Sequence, residues 1–400
     1  MNIELTQEQQ DLVKKLTNWW KHRVNQIFVY SGSAGTGKTT IIEYFAEEMG
    51  LRKNDFICCA LSGKAVSVLA LHGLNAKTIH SLIYKVIYAP VYGEDGKPEL
   101  NPNGDQKYRY QFVKRDKLES DYKLIVVDEL SMVSDDLMED IMSFNIPIIG
   151  MGDLNQLPPV FGSSSYMLHP NFILTKIMRQ AENDPIVWLA RRVLDGYPLQ
   201  EGTFGQSEVR RTIDLDKRLY TDYDITICAT NYTRDVFNHA IRRNIFHIRN
   251  DTPVIGDRVI CRQNDWDRSS GGLYLTNGTT GTIMDIDEEH TDHIRYTIDF
   301  SPDYDPDDPF IGIELDRKYF DAPIGEKKLF GITKYLKFEY AYMITTHLSQ
   351  GSQYPTVLFV DENFGSLDMH KKLRYTAITR AMKKITIILS PYFMHEWMYN

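Results

Sequence analysis

Apolar and polar positions along this chain follow two patterns, short apolar runs that read as buried strands and 3.6-residue stripes that read as helices. Near the N-terminus, Leu12, Val13 and Leu16 form a stripe behind Thr6 and Gln9, a pair at the spacing of a helix cap. The run Ile27 to Tyr30 predicts a strand, and Ile41, Ile42 and Phe45 predict the helix after it, beginning near Lys38. Runs at Phe56 to Ala60, Lys123 to Val127 and Ile146 to Gly150 predict three more buried strands, the first followed by a helix through Leu71. A helix containing Trp188 and Arg192 comes next. The order strand, polar loop, helix then returns at Asp224 to Ala229 with a helix ending near Arg243, and strands recur at Thr356 to Val360 and Ile385 to Leu389. Strands alternating with helices point to parallel sheets, so the expected class is α/β with two related units.

Two stretches break this order. Between Tyr84 and Tyr122, prolines and glycines punctuate the chain, and Tyr108-Arg-Tyr110-Gln-Phe112-Val-Lys114-Arg115 alternates aromatic and basic residues. This predicts an inserted β-hairpin whose aromatics either stack bases or simply pack the hairpin. Residues 254 to 340 predict a small all-β barrel, and within it Asp299 to Phe310, with three prolines and five aspartates, reads as a disordered acidic loop.

Composition narrows the class. At 400 residues the chain is long enough for two to four domains, and 42% apolar with 25% charged residues fits a globular protein. A formal charge of -9 argues against coating nucleic acid by bulk electrostatics, but allows a channel that grips a few phosphates. Cys58, Cys59, Cys228 and Cys261 lack CxxC spacing and read as reduced core residues. No basic-then-apolar leader and no apolar run of about 18 residues is present, so a cytoplasmic protein with no membrane partner is expected.

The strongest chemical signal is Gly32-Ser-Ala34-Gly35-Thr36-Gly37-Lys38-Thr39-Thr40, a glycine-rich turn between a strand and a helix. Its amides and the helix N-terminus suit nucleotide phosphates, with Lys38 reaching the β and γ phosphates and the Thr39 hydroxyl on Mg²⁺. The strand ending at Val127 delivers Asp128 and Glu129, suited to Mg²⁺ and to polarising the attacking water. The strand ending at Gly150 delivers Gly152-Asp153-Leu154-Asn155-Gln156-Leu157-Pro158-Pro159, in which Gln156 has the reach to sense a γ-phosphate. Gln9 is suited either to capping its helix or to reading the edge of adenine. Arg179 and Arg380, each near the start of an α/β element in the second half, suit a γ-phosphate approached across a cleft. Together these residues point to an ATP hydrolase using ATP and Mg²⁺.

The order of motifs resembles superfamily 1 DNA helicases of the RecD and Dda type, relatives of the Pif1 group, over nearly the whole chain. Gly32 to Thr40 corresponds to motif I, Lys64 lies in the Ia region, and Thr78 to Leu82, with His80, in Ib. Asp128 and Glu129 correspond to motif II, Gly152 to Pro159 to III, Arg179 to IV, His347 to Ser352 to V, and Tyr375 to Ala381 to VI. Gln9 takes the adenine-reading position. The resemblance implies two RecA-like domains, at 1–83 with 119–175 and at 176–255 with 341–400. It also implies an inserted wedge hairpin at 84–118 and an SH3-like barrel at 256–340. The activity it implies is 5′ to 3′ translocation on single-stranded DNA and unwinding at a duplex junction, by a monomer, alongside single-strand-binding or replication proteins. The DNA contacts it implies are Lys64, Thr78, His80, Asn231, Thr346, His347, Ser349 and Gln350, with Tyr108, Tyr110 or Phe112 as the strand-separating pin. The fifth motif carries Leu348 where the family has a lysine, so that polar contact is either missing or moved to Arg374 or Lys371. A phage origin accords with the resemblance. An RNA-directed motor and a nucleotide-gated remodelling module are the alternatives.

Overall fold

The computed structural model describes residues 5–33, 35–90, 92, 97–98, 108–159, 162–175, 184–211, 222–249, 252–270, 273–289, 295–316, 320 and 335–389. Helix α1 (Gln7–His22) begins at a reciprocal cap: the Gln9 N–H donates to the Thr6 hydroxyl at 3.3 Å and the Thr6 N–H donates to Gln9 Oε1 at 2.9 Å. Its stripe of Leu12, Val13 and Leu16 shares a core with Ile41, Ile42 and Phe45 of α2 (Lys38–Glu48). That core lies against a sheet built from β1 (Ile27–Gly32), β2 (Phe56–Ala60), β3 (Ala76–Thr78), β6 (Leu124–Val127), β7 (Ile148–Gly152) and β8 (Phe172–Leu174). The order is β3-β2-β6-β7-β1-β8 and every pairing is parallel. Helices α3 (Gly63–Leu71), α4 (Ile79–Ile83) and α5 (Asp135–Met142) complete this first unit. Strand β7 starts two residues later than the apolar run suggests, because Pro147 has no N–H for the ladder and offers only its carbonyl, to Ile125. Strand β8 was not legible as a strand.

Between α4 and β6, strands β4 (Tyr84–Pro90) and β5 (Tyr108–Lys114) form the expected hairpin, pairing Tyr84 with Lys114 and Pro90 with Tyr108. Asp140 of α5 anchors its base, accepting from Tyr84 and from Lys114.

The second unit contains α6 (Pro185–Leu194), β9 (Gly202–Phe204), β10 (Ser207–Arg210), β11 (Ile225–Cys228) and α7 (Asn231–Asn244). After β12 (Arg258–Cys261), β13 (Asp265–Ser270), β14 (Leu273–Leu275), β15 (Thr280–Glu289), β16 (Arg295–Pro302), β17 (Phe310–Asp316) and β18 (Phe338–Tyr340), it resumes with β19 (Met343–Thr345), α8 (Thr346–Ser349), β20 (Tyr354–Asp361), α9 (Leu367–Ile378) and β21 (Ala381–Leu389). Its sheet runs β19-β11-β20-β21-β10-β9, parallel except for the short edge pair β9 and β10.

Strands β17-β16-β15-β12-β18 make a separate antiparallel sheet around Ile298, Phe300, Ile313 and Phe338. Here the expected disordered loop at 299–310 is corrected. Asp299 to Pro302 finish β16, Asp303 pairs with the Arg258 guanidinium and the Thr280 hydroxyl, and β17 begins at Phe310. Asp303 thus has a cationic and a hydroxyl partner, and Asp299 accepts the Gly312 N–H at 2.9 Å, contacts that acidic composition alone does not reveal. All four cysteines are free and buried. Among the described residues no helix is long and apolar enough to cross a membrane.

The two α/β units meet through the loop that follows β7. Leu157, fully buried, enters the hydrophobic core of the second unit beside Ile186, Leu373 and Tyr375. Its N–H donates to Thr376 Oγ1 at 3.0 Å and its carbonyl accepts from Gln350 Nε2 at 3.2 Å. One apolar side chain of this size contributes about 1.5–3 kcal/mol by burial.

Candidate functional site

In a parallel sheet the C-terminal ends of the strands share one edge, so the polar loops leaving β1, β6 and β7 converge. The loop after β1 turns at Gly35 and Gly37, with φ of 81° and 80°, where L side chains are strained. Gly37 caps α2, whose first-turn N–H groups at Lys38, Thr39 and Thr40 have no helical partner and suit an anion. A Cβ on Gly32 would stand 2.5 Å from Thr36 Oγ1, so that position too needs glycine. Lys38 Nζ donates to the Gly32 carbonyl at 2.8 Å and to the Ser33 carbonyl at 3.4 Å. Gln9 Nε2 donates to the Thr36 carbonyl at 2.9 Å while its Oε1 caps α1, so the amide braces the loop from both ends. Ala34 lies outside the described residues.

Beside the loop, Glu129 adopts left-handed backbone, φ 49° and ψ 43°, a conformation costing on the order of 1–2 kcal/mol away from glycine. Its N–H donates to Asp128 Oδ1 at 2.8 Å. The Asp128 carboxyl is pushed up to about 7, first by desolvation and then by the Glu129 charge, against the attraction of Lys38. Glu129 Oε2 and Gln156 Oε1 are buried without a hydrogen-bond partner among the described residues. The crowded carboxylates of Asp128 and Glu129 and the unpaired buried oxygens are hard-oxygen donors of the kind that fits Mg²⁺ and its ligands.

The second unit presents α9 to the same loops. Tyr375 donates its hydroxyl to Asp153 Oδ2 at 2.7 Å, and the Ser33 side chain stands close enough to act on the Tyr375 oxygen. Arg380 is 2% exposed; it donates to the carbonyls of Thr376 and Ser352 at 3.0 and 3.1 Å and to Thr379 Oγ1 at 3.2 Å. Its guanidinium therefore stands beside α9, close enough to act electrostatically on Tyr375, but bonded within its own unit. Arg179 lies outside the described residues. Sequence reading gave no role to Asp153, Leu157 or Tyr375. The available signal was an apolar residue, Leu157, directly after the polar pair Asn155 and Gln156 in a loop between elements.

The residues expected to contact DNA separate into three groups. His80, His347 and Gln350 line one cavity of about 530 Å³ between the units, together with Tyr84, Pro158 and Leu348. Phe112, exposed on β5, lies 5.9 Å from the His80 ring and 6.2 Å from the Tyr84 ring, at the base of the hairpin. Burial lowers the pKa of both His80 and His347. Lys64 faces a different cavity of about 600 Å³, where it donates to the Tyr354 hydroxyl at 3.0 Å and stands over that ring. Asn231 is exposed at the start of α7, and Tyr108 and Tyr110 sit on β5, opposite Pro90 and Tyr88.

The third group, Thr78, Thr346 and Ser349, is buried and bonded internally. Thr78 caps α4, Thr346 donates to the Cys228 carbonyl, and Ser349 donates to the Thr346 carbonyl. Arg374, one of the two residues expected to take over the contact of the lysine missing at Leu348, is bound by both carboxylate oxygens of Asp361.

Residues 4–201 match the AAA domain family and residues 340–388 the UvrD-like helicase C-terminal domain family. The chain is 26% identical to the ATP-dependent RecD2 DNA helicase of Deinococcus radiodurans, over 94% of this chain and 48% of that protein. It is 27% identical to the ATP-dependent DNA helicase dda of Enterobacteria phage T4, over 65% of this chain and 61% of that protein. The chain thus spans about half the length of the RecD2 relative. The structure of a Bacteroides Pif1 helicase with ADP-AlF3 and ssDNA has a TM-score of 0.54 and 18% identity, covering 99% of this chain and 97% of that one. That likeness shows the α/β fold with its parallel sheets. With helicase-type motifs in their family order and two helicase relatives matched along the sequence, the chain belongs to the superfamily 1B helicases.

Proposed function

We propose that this chain is an ATP-driven motor that moves 5′ to 3′ on single-stranded DNA and opens duplex ahead of it. The observation that carries this reading is the direct contact of α9, which leads to Arg380, with the loops beside Lys38 and Glu129. A nucleotide held by Gly32 to Thr40 would lie at the boundary of two units, where its hydrolysis changes how they dock. Lys38 and the α2 N-terminus bind the phosphates, Glu129 takes the proton from the attacking water, and Gln156 orients that water with its unpaired amide oxygen. Arg380, and Arg179 with it, neutralise charge on the γ-phosphate from the second unit. Thr39 and Asp128 would hold Mg²⁺, which when bound would further neutralise the phosphates.

In this reading the units are RecA-like domains at 1–83 with 119–175 and at 176–255 with 341–400, the hairpin 84–118 is a wedge, and 256–340 is an SH3-like barrel. DNA lies against His80, Phe112, His347 and Gln350, with Lys64 and Asn231 as outer contacts. Gln9 exchanges its present partners to read adenine.

Strand displacement on duplexes with a 5′ or a 3′ tail tests the activity and its polarity. Displacement of the 5′-tailed duplex alone is expected, and its absence, or a preference for RNA, overturns the reading. Replacing Lys38 by Ala or Glu129 by Gln should abolish DNA-stimulated ATP turnover; normal turnover in either variant removes the site assignment.

A further inference from the structure

We infer that Tyr375 is the positioning residue that couples the phosphate loop to the second unit, which rests on the ATP-driven reading above. Its hydroxyl is buried, and a buried phenol needs a partner. Here both neighbours belong to the other unit: Asp153, in the loop after β7, accepts from it at 2.7 Å, and the Ser33 side chain, in the phosphate loop, stands close enough to act on its oxygen. One atom of α9 therefore joins two loops that leave different strands. Asp153 is itself held, with Oδ1 accepting the Asn155 N–H at 3.0 Å, so it is a fixed anchor.

The arrangement responds to what occupies the loop. Lys38 Nζ is bonded to the Gly32 and Ser33 carbonyls. Phosphates in the loop draw that ammonium towards themselves, so Ser33 changes its bonding as nucleotide enters. Since the Ser33 side chain meets Tyr375, the change is transmitted to α9. The next residue, Thr376, accepts from the Leu157 N–H, and its carbonyl holds Arg380 Nε. Moving Tyr375 thus moves the segment that sets the position of Arg380. The phenol itself touches no phosphate in this scheme; it sets where the guanidinium stands when the γ-phosphate is cleaved.

The test is DNA-stimulated ATP turnover by the full chain, with ATP titrated at saturating oligonucleotide. Tyr375→Phe keeps the ring and removes the bridge; kcat is expected to fall about tenfold, the equivalent of 1.4 kcal/mol, with KM for ATP within about threefold. Ser33→Ala, which leaves the buried tyrosine intact, should lower kcat in the same sense and guards against a folding defect in the first variant. Asp153→Asn combined with Tyr375→Phe should be no worse than the more damaging single change, because both break one link. A kcat within about twofold of the unaltered chain in Tyr375→Phe overturns the inference, as do losses that multiply in the double variant. An unaltered chain that shows no DNA-stimulated turnover overturns the motor reading instead, so the two failures are distinguishable.

Discussion

Glu129 illustrates how a single residue ties backbone strain to chemistry. Left-handed backbone at a glutamate is held because Asp128 accepts its N–H and Leu130 is buried immediately after it. The outcome is a carboxylate oxygen with no protein partner beside an ammonium-bearing loop, an arrangement suited to catalysis more than to stability. His80 gives a residue-scale prediction whose sign is set by burial. Its folded pKa lies below the ordinary value of about 6.5, so the native state binds fewer protons than the unfolded chain. The stability that depends on neutral His80 is complete above about pH 6.5 and is lost as pH falls through the depressed folded value; His347 acts in the same sense. Urea midpoints should therefore drop between about pH 7.5 and pH 5.5, and His80→Gln should remove part of the drop. Identical pH dependence in the variant would rule out this role for His80.

Among elements, α7 carries the attachment of the antiparallel sheet to the second unit. Arg242, 1% exposed, donates to both carboxylate oxygens of Asp257 at 3.0 Å and lies 4.2 Å from the Tyr340 ring, while the Tyr342 hydroxyl also donates to Asp257. About two turns earlier, Arg234 pairs with Glu339 of β18. Removing one member of a buried pair strands the other charge, so Arg242→Ala should destabilise the protein by about 3–5 kcal/mol. Denaturant unfolding followed by tyrosine fluorescence measures this, and a loss under about 1 kcal/mol would contradict it. This network also marks where sequence reading runs out. Strands such as β2 and β6, buried on both faces, are continuous apolar runs and were plain, as was the phosphate loop with its fixed spacing. Arg242 and Asp257 look like ordinary surface charges in the sequence, because their pairing depends on how α7 meets β12. Thr78 and Thr346 show the converse: polar residues in a motif look available in the sequence, while in the structure both are buried, one capping α4 and the other bonded to the Cys228 carbonyl. Leu157 and Tyr375 escaped notice because their partners lie across the domain boundary, more than 200 positions away in the chain.

At the scale of the molecule, the antiparallel sheet is attached to the second unit through α7, yet its turn at Thr276 reaches the first unit. A Cβ at Gly63, where α3 begins, would stand 2.1 Å from Thr276 Cβ and 2.4 Å from Thr276 Oγ1. Close by, Lys64 bonds to Tyr354 of β20. Three parts of the chain thus meet at the N-terminus of α3, which also borders the larger cavity between them. If that junction closes over single-stranded DNA, the absence of a side chain at Gly63 is what permits closure. Gly63→Ala tests this without harming the helix, since alanine is the better helix former. The methyl must displace the Thr276 turn, a strain on the order of 1–3 kcal/mol, so a bound oligonucleotide should dissociate roughly fivefold faster or more. Because the phosphate loop lies at the end of β1, away from this contact, KM for ATP should remain within about twofold. The paired measurement is oligonucleotide dissociation and ATP titration on the same preparation. Faster release with unchanged KM places the clamp at the Gly63 and Thr276 contact; unchanged release shows that the two surfaces are already apart when DNA is held.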